Sequence, residues 1–368
     1  MIVIADDITG AAEIAGFAFA RGEKVRLVCG CPTAADQTTV IATDTRSMTE
    51  DEAVAETKRI AAVLPPHLKS DIQHATPITL FKKTDSALRG HVVAELSALM
   101  QATGYQRAVY LPANPSKGRI IRGGRYYIKE SGDGSREVPI HETAFSYDPE
   151  FPATTSVLKE RFPDACDKSI LMPDAETIDG MRRVVAEYDD GQTLFAGAAD
   201  LFSVLLETIH QDVSVPHHPS PATHHSSTLI LCGSTQSKPL NLGIPVSPMP
   251  LVVYDGSDDI SFWDTTVYDV AHSLILTMPF THRTGKDAAV HLRTVMARKV
   301  QELVESHRPD HLIIEGGATA WATLQMLGWT QFDIVRQVAP GVVQMRAANG
   351  TLITLKPGSY PWGGLLSN

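Results

Sequence analysis

The chain has 368 residues, of which 43% are hydrophobic and 20% are charged, and its formal net charge is −10. This length suggests two domains of roughly 150 residues or more, and the hydrophobic fraction excludes a chain that is disordered by composition. The acidic balance argues against a nucleic-acid partner, although it allows a local basic pocket. No apolar run approaches about 20 residues, so a membrane partner is not expected.

The amino terminus and the cysteines indicate a cytoplasmic protein. Neither a basic region nor a long apolar segment precedes Asp6, so we expect no signal peptide. The spacing of the cysteines fits neither a zinc site nor a disulfide framework, which favours reduced thiols in the cytoplasm. The four are Cys29, Cys31, Cys166 and Cys232.

Strand and helix patterns alternate through the first part of the chain. Apolar runs predict strands over residues 1–5, 24–29, 38–43, 78–83, 107–111, 169–172 and 193–197. Helical patterns cover residues 11–21, 49–63, 91–101, 177–187 and 199–210, the second of them opening on a capping-box spacing at Thr49 and Glu52. Residues 112–152 break the rhythm, and we expect an irregular functional or mobile segment there.

A second α/β pattern follows a stretch rich in proline and serine. Residues 213–227 are the predicted linker, and the prolines that separate their four histidines disfavour a metal site. Beyond it we predict strands within 228–232, 267–277, 311–315, 342–346 and 351–355, and helices over 287–307 and 320–327. The predicted fold is therefore α/β, with two doubly wound, mostly parallel-sheet domains over 1–212 and 228–368 and a ligand cleft between them.

Two carboxylates, Asp6 and Asp7, follow the first predicted strand and precede a helix. Ligands of open α/β sheets bind at the carboxyl ends of the strands. Adjacent acids repel each other, so their position favours a role in binding in addition to a helix cap. The alternative is that Asp6 or Thr9 only caps the helix.

Two further segments combine cations with hydroxyl and carboxylate groups. The fourth predicted strand ends in Lys83 and is followed by Asp85, Ser86 and Arg89, which suit an acid that carries hydroxyls. The alternative is a solvated turn whose ions pair with each other. Residues 117–125 contain several cations and predict an anion site, and the alternative is an ordinary basic loop. These cations are Lys117, Arg119, Arg122 and Arg125. Glu142 is a weaker candidate for a polar contact with the substrate.

Three glycine-bearing turns follow predicted strands in the second half, at residues 232–235, 315–319 and 355–359. A glycine turn that opens a helix presents backbone N–H groups to a phosphate, although each turn alone is a weak signal. The sequence contains no Walker A pattern and no Gly-x-Gly-x-x-Gly fingerprint.

Taken together, these motifs resemble the four-carbon acid sugar kinase family. The resemblance rests on residues 5–10, 83–90 and 112–119, and it continues through 142–143, 148–149, 233–234, 316–319, 340–342 and 356–358. It implies an N-terminal domain that binds a sugar acid and a C-terminal domain that binds ATP. The implied reaction transfers the γ-phosphoryl group to the terminal hydroxyl of threonate, erythronate or an oxo-tetronate, with Mg²⁺ on the phosphates. A homo-oligomer is a further expectation.

The resulting hypothesis assigns a role to each candidate residue and predicts no metal-ligating side chain. The catalytic candidates are Asp7, Asp85 and Arg89. Asp7 orients or deprotonates the attacking hydroxyl, Asp7 and Asp85 bind hydroxyls, and Arg89, with Lys83 or Arg119, holds the substrate carboxylate. The substrate-binding candidates are Asp6, Lys83, Ser86, Arg119 and Glu142. The nucleotide-binding candidates are Gly233, Ser234, Gly316, Gly317, Thr319, Gly341, Lys356 and Gly358.

Four positions depart from the family pattern: Ala87, Asn114, Ala318 and Pro361. Ala318 stands where an acid is usual in the family, so we expect weaker nucleotide or magnesium contacts there. We expect Ala87 and Asn114 to shift the choice of substrate. These departures keep open a second hypothesis, a catalytically silent protein that binds a sugar acid or nucleotide. A third hypothesis, an oxidoreductase, is disfavoured by the missing dinucleotide fingerprint.

Overall fold

The computed structural model describes residues 1–31, 37–64, 80–129, 136–148, 150–209, 227–234, 240–279 and 285–358. The chain divides into two units, the first made of 1–14 and 30–214 and the second of 15–29 and 215–368. The predicted linker, apart from residue 227, lies outside the described residues. The predicted first domain comprised residues 1–212 without interruption, whereas residues 15–29 are grouped with the second unit.

The sheet of the first unit is parallel, and the described strands follow the order β3-β1-β4-β10-β5-β9. Its central strands are buried along their whole length, as expected of strands that are covered on both faces. The strands are β1 Ile2–Ala5, β3 Thr38–Ala42, β4 Leu80–Lys83, β5 Arg107–Leu111, β9 Ile170–Leu171 and β10 Thr193–Gly197. Three of them end in register, with Ala5 opposite both Ala42 and Lys83.

The predicted helices of the first unit begin and end within a few residues of their predicted bounds, whereas the short helix Leu158–Arg161 was not predicted. The capping box is confirmed: the Thr49 N–H donates to Glu52 Oε2 at 2.9 Å, and the Glu52 N–H donates to Thr49 Oγ1 at 3.4 Å. The first-unit helices are α2 Glu50–Ala62, α3 Val92–Thr103, α4 Leu158–Arg161, α5 Ile178–Tyr188 and α6 Ala199–Ile209, and α1 Ile8–Ala20 starts in this unit and ends in the second.

The expectation of irregular structure over residues 112–152 is wrong for part of the segment. A small antiparallel sheet of β6 Arg119–Arg122, β7 Arg125–Lys129 and β8 Glu137–Pro139 lies there. Gly123 and Gly124 both have positive φ, at 59° and 69°, which a two-residue hairpin turn requires. Short 3₁₀ helices follow at Ile140–Glu142 and Ala144–Tyr147.

The sheet of the second unit is mixed. Strands β12-β13-β11-β14-β17 are parallel, and β16, β15 and β2 continue the order as antiparallel neighbours. The strands are β2 Val25–Cys29, β11 Thr228–Cys232, β12 Val246–Pro248, β13 Ser273–Thr277, β14 His311–Glu315, β15 Gln331–Ala339, β16 Val342–Ala347 and β17 Leu352–Lys356. The unpredicted β15 pairs with β2, which explains why 15–29 groups with this unit.

The second unit contains a long helix of 22 residues, Lys286–His307, and a shorter helix that begins at Gly317. The described helices are α7 Leu251–Tyr254, α8 Tyr268–Ala271, α9 Lys286–His307 and α10 Gly317–Met326. The apolar strands β11, β13 and β14 supply a core cluster that includes Ile230, Ile275 and Ile313, and the side chains of Leu240, Leu242 and Ile244 pack against it. The α/β class with mostly parallel sheets is thus confirmed.

Candidate functional site

The first candidate site is built at the carboxyl ends of three neighbouring strands. Asp6 and Asp7 follow β1, Arg46 lies in a 3₁₀ turn shortly after β3, and Asp85 follows β4. Because the sheet order is β3-β1-β4 and the strand ends are in register, these side chains meet at one edge. We call the four residues the Arg46 cluster.

Arg46 is the central cation of this cluster. Its Nε and Nη2 donate to the two carboxylate oxygens of Asp6 at 3.0 and 2.8 Å, the bidentate geometry that arginine favours. Nη2 also donates to Asp7 Oδ1 at 3.0 Å, and Nη1 lies 3.7 Å from Asp85 Oδ1. One half-buried guanidinium therefore compensates three carboxylates that would otherwise repel one another.

The two adjacent carboxylates differ in environment and in pKa. Burial raises the pKa of Asp6 despite its ion pair with Arg46. Burial also acts to raise the pKa of Asp7, but Arg46 and Lys83 outweigh it and hold that pKa below the usual value. Asp7 accepts hydrogen bonds from the Thr9 hydroxyl and, at 3.0 Å, from the Gly10 N–H, so it is an ionised and oriented carboxylate at neutral pH.

Asp85 links the Arg46 cluster to a second arginine. Arg89 Nε and Nη2 donate to its two oxygens at 3.0 and 2.9 Å, while Arg89 Nη1 lies 3.4 Å from Asp148 Oδ2. Burial would raise the pKa of Asp85, but Arg46 and Arg89 lower it well below its usual value. The charge of Arg89 is therefore balanced within the protein.

Arg119 differs from the other cations at this edge. Its Nη1 donates to Ser86 Oγ, and its guanidinium lies 5.4 Å from the ring centroid of Phe145. Among the residues that the structure describes, no carboxylate forms an ion pair with Arg119. It is half-buried, so it presents a positive charge and remaining N–H donors beside Ser86 and Asp85.

Two lysines, Lys83 and Lys117, share a further acid, Glu13, near the start of α1. Lys83 Nζ donates to the Thr84 carbonyl at 2.9 Å and lies 3.8 Å from Glu13 Oε2, and Lys117 Nζ donates to Glu13 Oε1 at 2.6 Å. A Cβ on Gly10 would lie 2.6 Å from Asp7 Oδ1 and 3.2 Å from Lys83 Nζ. A glycine at this position therefore keeps space between the catalytic candidate Asp7 and a cation.

The structure places the remaining first-unit candidates away from these contacts. The side chain of Glu142 is 58% exposed and lies 3.7 Å from His141 Nε2, whereas Asp148 supplies the carboxylate that reaches Arg89. Arg122 at the hairpin pairs with Glu137 and Glu176, so it is not part of an uncompensated basic patch.

The second candidate site is the carboxyl edge of β11, β14 and β17 in the second unit. Cys232, Glu315 and Lys356 end these strands in register. The Gly233 N–H donates to the Glu315 carbonyl at 3.2 Å, and the Gly316 N–H donates to the Lys356 carbonyl at 2.9 Å. These two glycine N–H groups are thus occupied in joining the strand ends, contrary to the expectation that they contact phosphate.

Lys356 is also engaged within the protein. Its ammonium pairs with the buried Glu315 carboxylate and donates to the carbonyls of Pro357 and Gly358 at 3.0 and 3.3 Å. An ammonium group has three donors, and these acceptors use all of them. Lys356 therefore fixes the turn after β17 in this structure and does not present a free charge to a phosphate.

The glycines at this edge keep space that other side chains already fill. A Cβ on Gly233 would lie 2.1 Å from Thr319 Oγ1, and a Cβ on Gly358 would lie 2.1 Å from Ser234 Oγ. Gly316 has φ of 101° and directly precedes α10, whose first turn presents N–H groups without helical partners. Gly341, with φ of 82°, lies in the turn before β16 at the same end of the sheet.

Three of the four departures from the family pattern lie in described residues. Ala87 is buried and its N–H donates to Asp85 Oδ2 at 2.8 Å. Asn114 is buried and accepts from the Asp200 N–H at 3.1 Å, while Ala318 is exposed on α10. Pro361 lies outside the described residues.

Comparison with protein families identifies both halves of the chain. Residues 1–201 match a sugar-binding N-terminal domain, and residues 267–360 match a nucleotide-binding C-terminal domain. The first match alone covers more than half of the chain. The chain belongs to the four-carbon acid sugar kinase family. The predicted family resemblance is thereby confirmed.

Two curated relatives illustrate the similarity. A D-threonate kinase of Salmonella typhimurium is 31% identical over 163 residues, which cover 44% of this chain and 35% of the relative. The match thus spans about a third of that enzyme's length. A 3-oxo-tetronate kinase of Actinobacillus succinogenes is 23% identical over 402 residues, which cover 97% of this chain and 96% of the relative.

Solved structures support the fold. The Haemophilus influenzae protein HI1011 has a TM-score of 0.67 at 20% identity, with coverage of 98% of this chain and 97% of the other. A Salmonella typhimurium protein has a TM-score of 0.72 at 19% identity, with coverage of 98% and 96%. At these identities the likeness concerns the fold alone.

Sequence reasoning missed Arg46 and gave Asp148 no role. The signal for Arg46 was its position a few residues beyond the predicted strand over 38–43, at the edge where Asp6 and Asp7 were expected.

Within the described residues, no cluster of three or more His, Cys, Asp or Glu side chains could hold a metal ion, and no helix is long and apolar enough to cross a membrane.

Proposed function

We propose that the chain is an ATP-dependent kinase that phosphorylates the terminal hydroxyl of a four-carbon sugar acid. Curated relatives carry the names D-threonate kinase and 3-oxo-tetronate kinase, and both names describe phosphotransferases that act on an alcohol group. The observation that carries the proposal is Arg119, a half-buried guanidinium without an ion-pair partner among the described residues. It lies beside the hydroxyl of Ser86 and near the carboxylate of Asp85.

In this proposal Arg119 binds the carboxylate of the substrate. The planar guanidinium can form two parallel hydrogen bonds to a carboxylate, and its charge is available for that purpose. Arg89 has a different role, because Asp85 and Asp148 already compensate its charge. We assign to Arg89 the role of orienting Asp85. The carboxylate of Asp85 and the hydroxyl of Ser86 then bind the substrate hydroxyls.

Asp7 is the proposed acceptor of the proton from the attacking hydroxyl. Its lowered pKa keeps it ionised at neutral pH, and Thr9, Gly10 and Arg46 fix the direction of its oxygens. A weak base suffices, because catalysis of phosphoryl transfer depends mainly on positioning and electrostatic stabilisation. Asp6 is 1% exposed and accepts hydrogen bonds from Nε and Nη2 of Arg46, so we assign it to the structure of the cluster.

The proposed nucleotide site is the first turn of α10. Its N–H groups at residues 317–319 and the positive end of the helix dipole suit the phosphates of ATP. The groups that this edge offers to the nucleotide are backbone N–H groups, which cannot ligate a metal ion. Bound Mg²⁺ would therefore be held by phosphate oxygens and water. When bound, Mg²⁺ supplies neutralisation of the charge on the transferred phosphoryl group.

A coupled assay of ADP release tests the proposal. The panel contains D-threonate, L-threonate, D-erythronate and 3-oxo-tetronate, with the five-carbon acid D-ribonate as a control for chain length. We expect ATP-dependent turnover with at least one four-carbon acid and little with D-ribonate. Binding of a four-carbon acid without ADP release would instead support the catalytically silent protein. A nicotinamide absorbance change with these acids would support the oxidoreductase.

Two further expectations belong to this proposal. A cytoplasmic location is consistent with the use of ATP, and a homo-oligomer remains a prediction. Fractionation of the source cells and sedimentation of the purified chain would measure them.

A further inference from the structure

A buried ion pair lies beneath the Arg46 cluster and takes no part in the proposed chemistry. Lys82, the penultimate residue of β4, places Nζ 2.5 Å from Glu95 Oε2 on α3. Their side chains are 0% and 1% exposed. Removing two charges from water is costly, and a buried ion pair is often no more stabilising than apolar side chains of similar volume. Stability alone therefore does not account for this pair.

Two threonines donate to the same oxygen of Glu95. Thr45 Oγ1 lies 2.8 Å from Glu95 Oε2, and Thr57 Oγ1 on α2 lies 3.4 Å from it. Thr45 immediately precedes Arg46, whereas Thr57 lies eleven positions away from Arg46 on a separate helix. The shorter of the two hydrogen bonds therefore reaches the turn that carries the central cation.

The turn that carries Arg46 needs external support. Asp44, just before it, has φ of 56°, a left-handed conformation that is uncommon for a residue other than glycine. Thr43 binds the Ala5 carbonyl through both its N–H, at 3.0 Å, and its hydroxyl, at 2.9 Å. The hydrogen bonds of Thr43 and Thr45 thus attach the turn to β1 on one side and to Glu95 on the other.

We propose that Glu95 is a positioning residue for phosphoryl transfer: Lys82 fixes its carboxylate, Thr45 connects it to the turn, and Arg46 consequently holds Asp7 in its productive orientation. This proposal rests on the proposed function, because it assigns the reason for the geometry of the same site. It extends that function to residues that touch neither substrate nor the reacting atoms.

The test compares Thr45→Val with Thr57→Val, since each removes one hydroxyl donor to the same carboxylate oxygen without a large change of volume. Thr45→Val also removes the 3.0 Å contact between the Thr45 and Thr43 hydroxyls, which belongs to the same turn. Misplacement of a positioned group by about 1 Å costs up to about 100-fold in rate. We expect Thr45→Val to lower kcat about tenfold or more, with an unchanged KM for ATP. Thr57→Val should retain kcat within about twofold, and Thr45→Ser, which restores the hydroxyl, should recover most of the rate.

The pH profile separates positioning from loss of folded protein. Asp7 faces Asp6, Asp85, Lys83 and Arg46, and the two cations keep its pKa low. A displaced Arg46 would let that pKa rise, so the acidic limb of kcat should move to higher pH in Thr45→Val but not in Thr57→Val. Denaturation measured alongside would identify a variant that has merely lost folded protein.

A readout that does not depend on catalysis keeps this proposal distinct from the proposed function. The carboxyl pKa of Asp7, followed by NMR in protein labelled at aspartate, should be raised in Thr45→Val and unchanged in Thr57→Val. This comparison applies even if the wild-type chain releases no ADP with any acid, a result that would overturn only the proposed function. Equal effects of the two variants, or none from Thr45→Val, would overturn the role of Glu95.

Discussion

The two candidate sites differ in the groups that form them: charged side chains at the first-unit edge, and glycine-bearing turns at the second-unit edge. At the first-unit edge, charged side chains compensate one another, with Arg46 contacting three carboxylates and Arg89 contacting two. At the second-unit edge, glycines leave space for neighbouring side chains, and the single buried ion pair described there joins Lys356 to Glu315. Both lie at the carboxyl ends of parallel strands, where open α/β sheets bind ligands.

The two sites therefore differ in the ligands that they can recognise and in the substitutions that disrupt them. A network of charged side chains can distinguish one arrangement of carboxylate and hydroxyl groups from another, and it depends on pH. Backbone N–H groups carry no titratable charge and suit any phosphate. We therefore expect the first site to be sensitive to loss of charge and the second to be sensitive to added atoms.

The largest effect should follow from Asp7→Asn, which removes the proposed proton acceptor at nearly constant volume. General-base contributions are typically about 10²- to 10⁴-fold, and we expect a fall in kcat within this range. Calorimetric titration with ATP should show nearly unchanged affinity. A variant with full turnover would contradict the role of Asp7.

Arg119→Gln tests the claim that Arg119 binds the carboxylate of the sugar acid. A hydrogen bond to a charged group is worth roughly 1.5–3 kcal/mol, so KM for the sugar acid should rise about 10- to 100-fold. KM for ATP should not change. Arg125→Gln, the same substitution at an exposed position of β7, is the matched control and should leave both constants near wild type. Equal effects at the two arginines would remove the special role of Arg119.

Gly233→Ala tests the sensitivity of the second site to a single added carbon. The new Cβ would lie 2.7 Å from both Thr319 Cβ and Cγ2, so Thr319 and the start of α10 must shift. Overpacking of this kind typically costs about 1–3 kcal/mol, and we expect KM for ATP to rise roughly tenfold with KM for the acid unchanged. Kinetics with each substrate varied in turn would measure this.

Gly180→Ala provides the control for that substitution. Its Cβ would meet its nearest neighbour, Thr177 Oγ1, at an ordinary 3.5 Å, and an alanine suits the first turn of α5, where Gly180 lies. This variant should be as active as wild type and slightly more stable. If Gly233→Ala behaves in the same way, the steric account of the second edge is wrong.

The smallest expected effect is on stability in acid. Because the pKa of Asp85 is lower in the folded state than in the unfolded state, its ion pairs stabilise the fold above the usual aspartate pKa. That contribution is lost as pH falls from about 4 through the folded-state pKa. Asp85→Asn should flatten the decline in the free energy of unfolding below about pH 4, as urea titrations at several pH values would show. An unchanged slope would contradict this assignment.

Much of the first site could be predicted because it depends on where strands end. Asp6, Asp7, Lys83 and Asp85 directly follow apolar runs, and the local pattern determines their position at the sheet edge. Arg46 could not be found in this way. Its role depends on β3 lying next to β1 and on the left-handed turn at Asp44, and neither is encoded in a motif of polar residues.

Other features depend on partners that are distant in sequence. A lysine after a strand predicts a phosphate contact, but the ammonium of Lys356 is taken up by Glu315, 41 positions earlier. Likewise, the hairpin at Gly123 and Gly124 was obscured by the many charges around it, several of which are paired in the structure. The local sequence predicts such residues correctly as polar, yet only the fold decides whether their charges are free.

The most direct test of the account is a crystal structure of the chain with a four-carbon sugar acid and ADP bound. The account predicts the acid's carboxylate at hydrogen-bonding distance, about 2.7–3.2 Å, from Arg119, a hydroxyl on Asp7, and the ADP phosphates at the first turn of α10. An acid carboxylate bound elsewhere, with Arg119 turned away, or phosphates held by side chains remote from α10, would contradict it.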